Sequence, residues 1–281
     1  MSIRNITGGK SGAVSKLLNI IGMAMAFAAL YIIMVQVSYD LGYNHKVKDS
    51  DRVYVLTMPD WYTPGNWMPW MSRPLCEAAI SNVPCVECGG TAVLGQDRSR
   101  FSRNADGSGA FDVDFGKVSM GALQVFGFEA VEGSMDHLAP WKDLIISDTK
   151  AEELGLHAGD VLYSRGNDGV TNQYYIAAIF RHFPANSDLG SVNCITNLGD
   201  ESIGEFSEWS YPYFVKLRSN DDKVMFEQQA FDHILKTFFN IAGDEVEELS
   251  GEDIEEAKSR MQVKLFPFRI LISRRPSPAR A

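Results

Sequence analysis

The sequence predicts a mixed α+β domain carried on a single N-terminal membrane helix. Three observations predict it. Residues 17–37, LLNIIGMAMAFAALYIIMVQV, form an apolar run without a charged side chain. After it, short stretches rich in β-branched and aromatic residues are interspersed with helical patterns, the mixture expected of an α+β domain. The charge is also divided: of the formal −10, residues 1–38 contribute +3 through Arg4, Lys10 and Lys16, which leaves −13 for the remainder. Phosphate contacts need clustered Lys and Arg, so this balance excludes a nucleic-acid partner. It suits an exported domain, and a chain of 281 residues with 45% hydrophobic content can bury a real core.

The predicted organisation is a cytosolic leader over residues 1–16, a transmembrane helix over 17–38 and a core domain over 39–240. An acidic segment and irregular tail follow over 241–281. The leader holds Gly9-Lys10-Ser11, but a phosphate loop needs Gly where Arg4 stands and a strand before it. The apolar run, as a helix, reaches about 31 Å, enough for a hydrocarbon core of about 30 Å. It exceeds the h-region of a signal peptide, and Ser38-Tyr39-Asp40 gives no small-x-small cleavage site, so an uncleaved anchor is expected. Gly22, Ala24, Ala26, Ala28 and Ala29 make part of it slim. That permits close approach of a second helix, and a lone Ala-rich anchor has the same composition. Lys46, Lys48 and Arg52 after the run balance the three basic residues before it, so charge leaves the orientation open.

Arg52–Leu56 reads as a strand. Prolines 59, 64, 69 and 74 exclude a regular helix there, and Trp61, Trp67 and Trp70 suit either a lipid interface or a loop. Residues 75–82 read as a helix, and Asp106 with Gly107-Ser108-Gly109 marks a turn between strands at 98–104 and 110–118. Ser147-Asp148-Thr149 caps a helix over Lys150–Leu154 that Gly155 and Gly159 close. Tyr174–Phe180 and Tyr211–Leu217 are strands, and Phe226, Ala230, Phe231, Ile234, Leu235 and Phe238 give an amphipathic helix over 225–239. The acids of 243–256 lack the spacing of a calcium loop and read as a solvated acidic helix or loop.

Catalytic patterns are missing. There is no His-Glu-x-x-His, Gly-x-Ser-x-Gly or Gly-x-Gly-x-x-Gly, and His45, His137, His157, His182 and His233 are scattered. Cys85 and Cys88 form a C-x-x-C without the βαβ setting of a redox motif, and Cys76 and Cys194 are poorly spaced to complete a zinc site. The four cysteines allow one or two disulfides in an exported domain, with connectivity open. No residue is therefore assigned a catalytic, cofactor or metal role, and no enzyme activity is expected.

Six sets of segments follow one another in a recognisable order: Leu18–Ala24; Ser38-Tyr39-Asp40 with Asp51-Arg52-Val53-Tyr54; Val125–Phe128 with Glu132-Gly133; Leu144–Ser147 with Ala151 and Leu154-Gly155; Tyr175–Phe180 with Phe183–Ser187; and Trp209 with Tyr213–Leu217. Together they resemble the N-terminal half of FtsX-like ABC transporter permeases with a MacB-like periplasmic core domain. The first is similar to the opening of that family's first membrane helix, and the second resembles its SYD…DRIY signature. The resemblance covers roughly residues 17–240. It implies a cytosolic N-terminus, a periplasmic core domain, a location in the bacterial inner membrane and a non-catalytic role. It also implies a separate ABC ATPase partner, a second permease copy, contacts with other periplasmic proteins and an anchorage in the lipid bilayer. Family members continue through three further membrane helices, so the chain corresponds to an N-terminal portion. Ile270–Ala281 departs from the family and reads as a truncated or frameshifted end. Two other readings stand beside this one: a single-span exported binding or sensor domain, and a membrane-anchored thiol oxidoreductase using Cys85 and Cys88.

Overall fold

The computed structural model describes residues 8–166, 171–242 and 250–268. The chain divides into two compact units, residues 1–43 and 44–281. The first is one helix, α1 (Gly8–Leu41). It begins nine residues ahead of the expected 17 because Lys10, Ala13 and Lys16 are good helix formers that continue the turn pattern. Within it, Val14–Leu41 has a mean hydropathy of 2.3 and none of it is buried. Apolar side chains on every side, exposed, are what a span in lipid requires.

The second unit is built on one sheet with the strand order β12-β1-β11-β4-β5-β10-β7-β9-β6. Its first half comprises β1 (Val53–Pro59), β11 (Tyr211–Leu217), β12 (Lys264–Pro267) and the start of the long β4 (Val86–Phe101). Short strands β2 (Trp67–Met68) and β3 (Trp70–Met71) pair with β1 and β11. Strand parity divides β1 cleanly: Tyr54, Leu56 and Met58 enter one core cluster, Val53 and Val55 the other. Both faces are covered, which is why β1 and β11 read as nearly continuous apolar runs. On one face lie α2 (Arg73–Ile80), α5 (Lys223–Ala242) and α6 (Gly251–Arg260). Phe226, Ala230 and Ile234 of α5 are its buried stripe, as the helical spacing predicts. The other face takes α3 (Met120–Phe126), which sits directly on β4. Gly90 and Gly121 permit that approach: a β-carbon on Gly90 would lie 2.3 Å from the Ala122 nitrogen, and one on Gly121 would lie 2.0 Å from the Gly89 oxygen. The Gly89-Gly90 pair after the C-x-x-C is thus a seat for a helix.

In the second half the sheet curls. β5 (Phe111–Val118), β10 (Cys194–Asn197), β7 (Asp143–Ser147), β9 (Thr171–Phe180) and β8 (Val161–Arg165) follow one another. Ser102 and Tyr163 then exchange two backbone hydrogen bonds of 2.8 Å, returning β8 to the far end of β4. A separate cluster of Phe101, Phe115, Leu144, Leu162, Ile176 and Cys194 fills the curl. The remaining edge is β6 (Ala130–Gly133), and α4 (Asp148–Leu154) starts at the expected cap, where Ser147 accepts from the Lys150 amide, and ends on Gly155 in the left-handed conformation. The sheet also takes in a strand beyond residue 240: β12 pairs with β1 from Tyr54↔Pro267 to Thr57↔Lys264. Sequence signals end at α5 because this strand is short and its pairing is set more than 200 residues away.

Candidate functional site

Thiol chemistry is the first candidate to test against geometry. Cys85 is buried in the cluster beneath α2 and α5, whereas Cys88 packs against the cluster on the opposite face. Three positions apart at the start of a strand, they face opposite ways. All four cysteines are free thiols. Burial pushes Cys76, Cys85, Cys88 and Cys194 above the ordinary thiol range, with the Asp222 charge adding to the shift at Cys85. A redox cysteine needs the reverse, a stabilised thiolate. The pair expected for an oxidoreductase is not brought together.

The histidines do not converge either. His45, His137 and His157 are exposed, and His157 Nδ1 lies 3.3 Å from Glu132 on an open turn. Among the described residues no three His, Cys, Asp or Glu side chains are placed to hold a metal. One serine does meet a carboxylate: Ser202 donates to Glu208, and the Tyr211 hydroxyl donates to Ser202 at 3.1 Å. The Ser202 hydrogen bond holds Glu208 below the usual carboxylate range, which makes it a poor general base. The group ties down the loop before β11. Three of the acids at 252–256 are occupied structurally: Asp253 in a capping box with Ser250, Glu255 bonded to Lys258 at 2.6 Å and Glu256 paired with Arg260 at 2.5 Å; residues 243–249 and 269–281 lie outside the described residues.

What the domain does build is a junction at its N-terminal end. Asn44 is fully buried with φ at 58°, a left-handed conformation that asparagine tolerates better than most residues. Its Nδ2 donates to Asp188 Oδ2 and to the Phe268 carbonyl, both at 3.0 Å, and its Oδ1 accepts from the Asp188 amide at 2.9 Å. Its own amide donates to the Asn186 carbonyl at 2.9 Å. The Phe183–Ser187 motif is thus joined to the first residue of the domain, and Ser187 closes that motif's turn by donating to the Pro184 carbonyl at 2.8 Å.

A second tie follows within eight residues. Lys216 Nζ, nearly buried on β11, donates to Asp49 at 2.7 Å and lies 3.2 Å from Glu87 of β4. Arg52 bonds Glu87 at 2.6 Å, pairs with Asp49 at 3.1 Å and donates to the Leu217 carbonyl at 2.9 Å. The hydrogen bond from Lys216 holds Asp49 below the ordinary range, and that from Arg52 does the same for Glu87. Burial pulls the Lys216 ammonium down, but its bonds to Asp49 and Glu87 outweigh that and leave it raised. Two cations and two carboxylates therefore clamp the lead-in segment across two strands. The Arg52 of the Asp-Arg-Val-Tyr motif is a structural clamp.

At the other end of β1, about 20 Å along the strand by its length, aromatic side chains collect. Trp61 and Trp209 meet with ring centres 4.7 Å apart and planes tilted by 60°, Arg260 lies 5.7 Å over Trp61, and Lys264 lies 4.3 Å over Trp67. Trp67 lies on β2 and Trp70 on β3, and Trp61, Trp67 and Trp70 are all half-buried.

No protein-family model and no curated protein matches the chain. Solved structures do. A domain of a provisionally assigned permease protein from Porphyromonas gingivalis is similar with a TM-score of 0.59 at 17% identity, covering 80% of this chain and 92% of that one. The extracellular domain of the noncanonic ABC-type transporter YknZ from Gram-positive bacteria gives 0.46 at 13% identity, covering 66% and 94%. The periplasmic region of MacB from Actinobacillus actinomycetemcomitans gives 0.46 at 8%, covering 78% and 90%. At such identity the likeness is one of fold. The chain pairs an apolar helix long enough to span a bilayer with a mixed α/β domain whose fold is similar to that of the Porphyromonas gingivalis domain. That is the architecture that the sequence motifs resemble.

Proposed function

We propose that the chain supplies the first membrane span and the extracytoplasmic domain of an ABC transporter permease. In this reading α1 crosses the bacterial inner membrane with its N-terminus in the cytosol, and the domain from Asn44 stands in the periplasm. It catalyses nothing. A separate ATPase hydrolyses ATP on the cytosolic side, and movement of α1 is passed to the domain, which acts on a substrate or partner outside. A second permease copy completes the pair.

The observation that carries the reading is the fold: a domain similar to that of a Porphyromonas gingivalis permease, following a long, predominantly apolar helix. The tied junction supports a relay. A helix transmits force only if the residues after it are fixed to the body they must move, and Asn44, Asp49 and Arg52 are so fixed, by Asp188, the Phe268 carbonyl, Glu87 of β4 and Lys216 of β11. The test is purification of the full chain from native membranes after crosslinking. Recovery of an ABC ATPase together with the remaining permease helices supports the proposal. Recovery of neither, with the chain intact in the membrane, contradicts it and favours a self-standing binding or sensor domain.

A further inference from the structure

We propose that the groove between the end of α2 and the start of β4 binds the C-terminal residue of a partner chain, with an apolar side chain in the groove and the terminal carboxylate on Arg218. The groove has a volume of about 340 Å³ and is lined by Ile80, Asn82, Val83, Pro84, Val86 and Arg218. Four of these six are apolar. Backbone hydrogen bonds fix its walls: Val83 donates to the Ile80 carbonyl at 3.4 Å, Val86 to the Val83 carbonyl at 3.1 Å, and the Arg218 amide to the Cys85 carbonyl at 2.9 Å. A concave surface already held in this way needs little ordering when it binds. Every residue of it belongs to the domain, so the groove is present whichever side of a membrane the domain occupies.

Charge indicates what fits there. Arg218 is exposed, and of the five N–H groups of a guanidinium only its Nε–H is engaged among the described residues, donating to the Pro84 carbonyl at 3.0 Å. It has no ion pair among the described residues, because the acids beside it are committed elsewhere. Glu87, next to Val86, is bonded to Arg52 at 2.6 Å and lies 3.2 Å from Lys216. Asp222 accepts from the Ser219 amide at 3.2 Å. On a chain of formal charge −10, an arginine without a carboxylate at the rim of an apolar groove calls for an anion that carries an apolar group. A carboxylate matches the planar guanidinium fork, and the bond is charge-assisted. Asn82 favours a chain end over a simple fatty acid. It is exposed on the same rim, and its side-chain oxygen, unbonded among the described residues, can accept from the last peptide N–H. Capture of a terminal carboxylate beside a pocket for the last side chain is a recurring mode of peptide recognition.

The test is saturation-transfer NMR on the full chain in phosphatidylcholine nanodiscs, with empty discs as the blank and N-acetyl-glycyl-leucine as the probe. One apolar side chain and one charge-assisted contact should hold it with a Kd of about 1 mM. The C-terminal amide of the same dipeptide lacks the charge and should bind at least about tenfold more weakly. Arg218→Gln should weaken the acid about tenfold and leave the amide unchanged, a pattern that damage to the fold would not give, and Arg218→Lys should recover part of the loss. Lys48→Gln, which removes an exposed cation outside the groove, should change nothing. Equal binding of acid and amide overturns the proposal, and that comparison on the parent chain stands whether or not a variant folds. Arg218→Gln binding the acid as the parent does overturns it too. Hexanoate binding as tightly as the dipeptide overturns the assignment to a chain end, in favour of a small apolar acid.

Discussion

Replacing Asn44 with alanine removes one side chain from the point where both ends of the domain meet. Three side-chain hydrogen bonds are lost, two donated to Asp188 and Phe268 and one accepted from the Asp188 amide. At about 1 kcal/mol net each they amount to roughly 3 kcal/mol. Alanine at φ of 58° adds about 1 kcal/mol of backbone strain. For a domain of this size, 4 kcal/mol at the high end lowers Tm by about 8–16 °C. Asn44→Gly loses the same bonds but relaxes the backbone, so it should retain about 1 kcal/mol relative to alanine. Asn44→Asp keeps an acceptor for the Asp188 amide but turns the donor into a carboxylate facing Asp188, so it should be no better than alanine. All five tryptophans lie in residues 44–268, so fluorescence-monitored urea unfolding of the detergent-solubilised chain reads this domain. An alanine variant as stable as the parent, or a glycine variant below alanine, would refute the account of the junction.

Further outcomes test the packing, the clamp and the thiols. Gly90→Ala should cost about 2 kcal/mol or more, since its β-carbon has backbone 2.3 Å away, while Gly204→Ala, with open space around it, should be nearly neutral; urea midpoints of the two decide. Lys216→Met should cost about 1–2 kcal/mol, a figure reduced because Asp49 and Glu87 are more than a third exposed. The clamp's pH dependence follows from the direction of each shift. Asp49 and Glu87 are depressed, so their contribution is full above the ordinary carboxylate range and is lost as pH falls through their folded values. Lys216 is raised, so its contribution is full below the ordinary lysine range and is lost as pH rises through its folded value. The stability difference between parent and Lys216→Met should therefore be flat at neutral pH and narrow at both extremes. Iodoacetamide at pH 6 should leave Cys76, Cys85 and Cys194 unmodified in the folded chain and react slowly at Cys88; rapid reaction at Cys85 or Cys88 would revive the oxidoreductase reading.

Elements with a strong local signature were legible in the sequence. The span of α1, the apolar runs of β1, β9 and β11, the Ser147 cap with its Gly155 stop and the stripe of α5 all follow from periodicity or capping chemistry. The motifs around Arg52 and Phe183 were visible too, but not their purpose. Asn44 meets Asp188 and Phe268 across separations of 144 and 224 residues, and no local pattern announces such a contact. Buried Arg73 is similar: it looks like an ordinary helix start, yet its guanidinium donates to the carbonyls of Gly199 and Glu201. The split of Cys85 from Cys88 could have been read, because residues three apart in a strand face opposite sides. Recognising Val86 as the start of that strand was the missing step.

The most direct test of the central claim labels Tyr62→Cys with a membrane-impermeant maleimide in cells whose inner membrane is sealed. Tyr62 is 91% exposed and lies in the domain that the account puts outside the cytoplasm. Labelling in cells whose outer membrane is permeabilised and inner membrane is sealed, equal to that in lysed cells, is the predicted result. Labelling that appears only after lysis would place the domain in the cytosol and contradict the account.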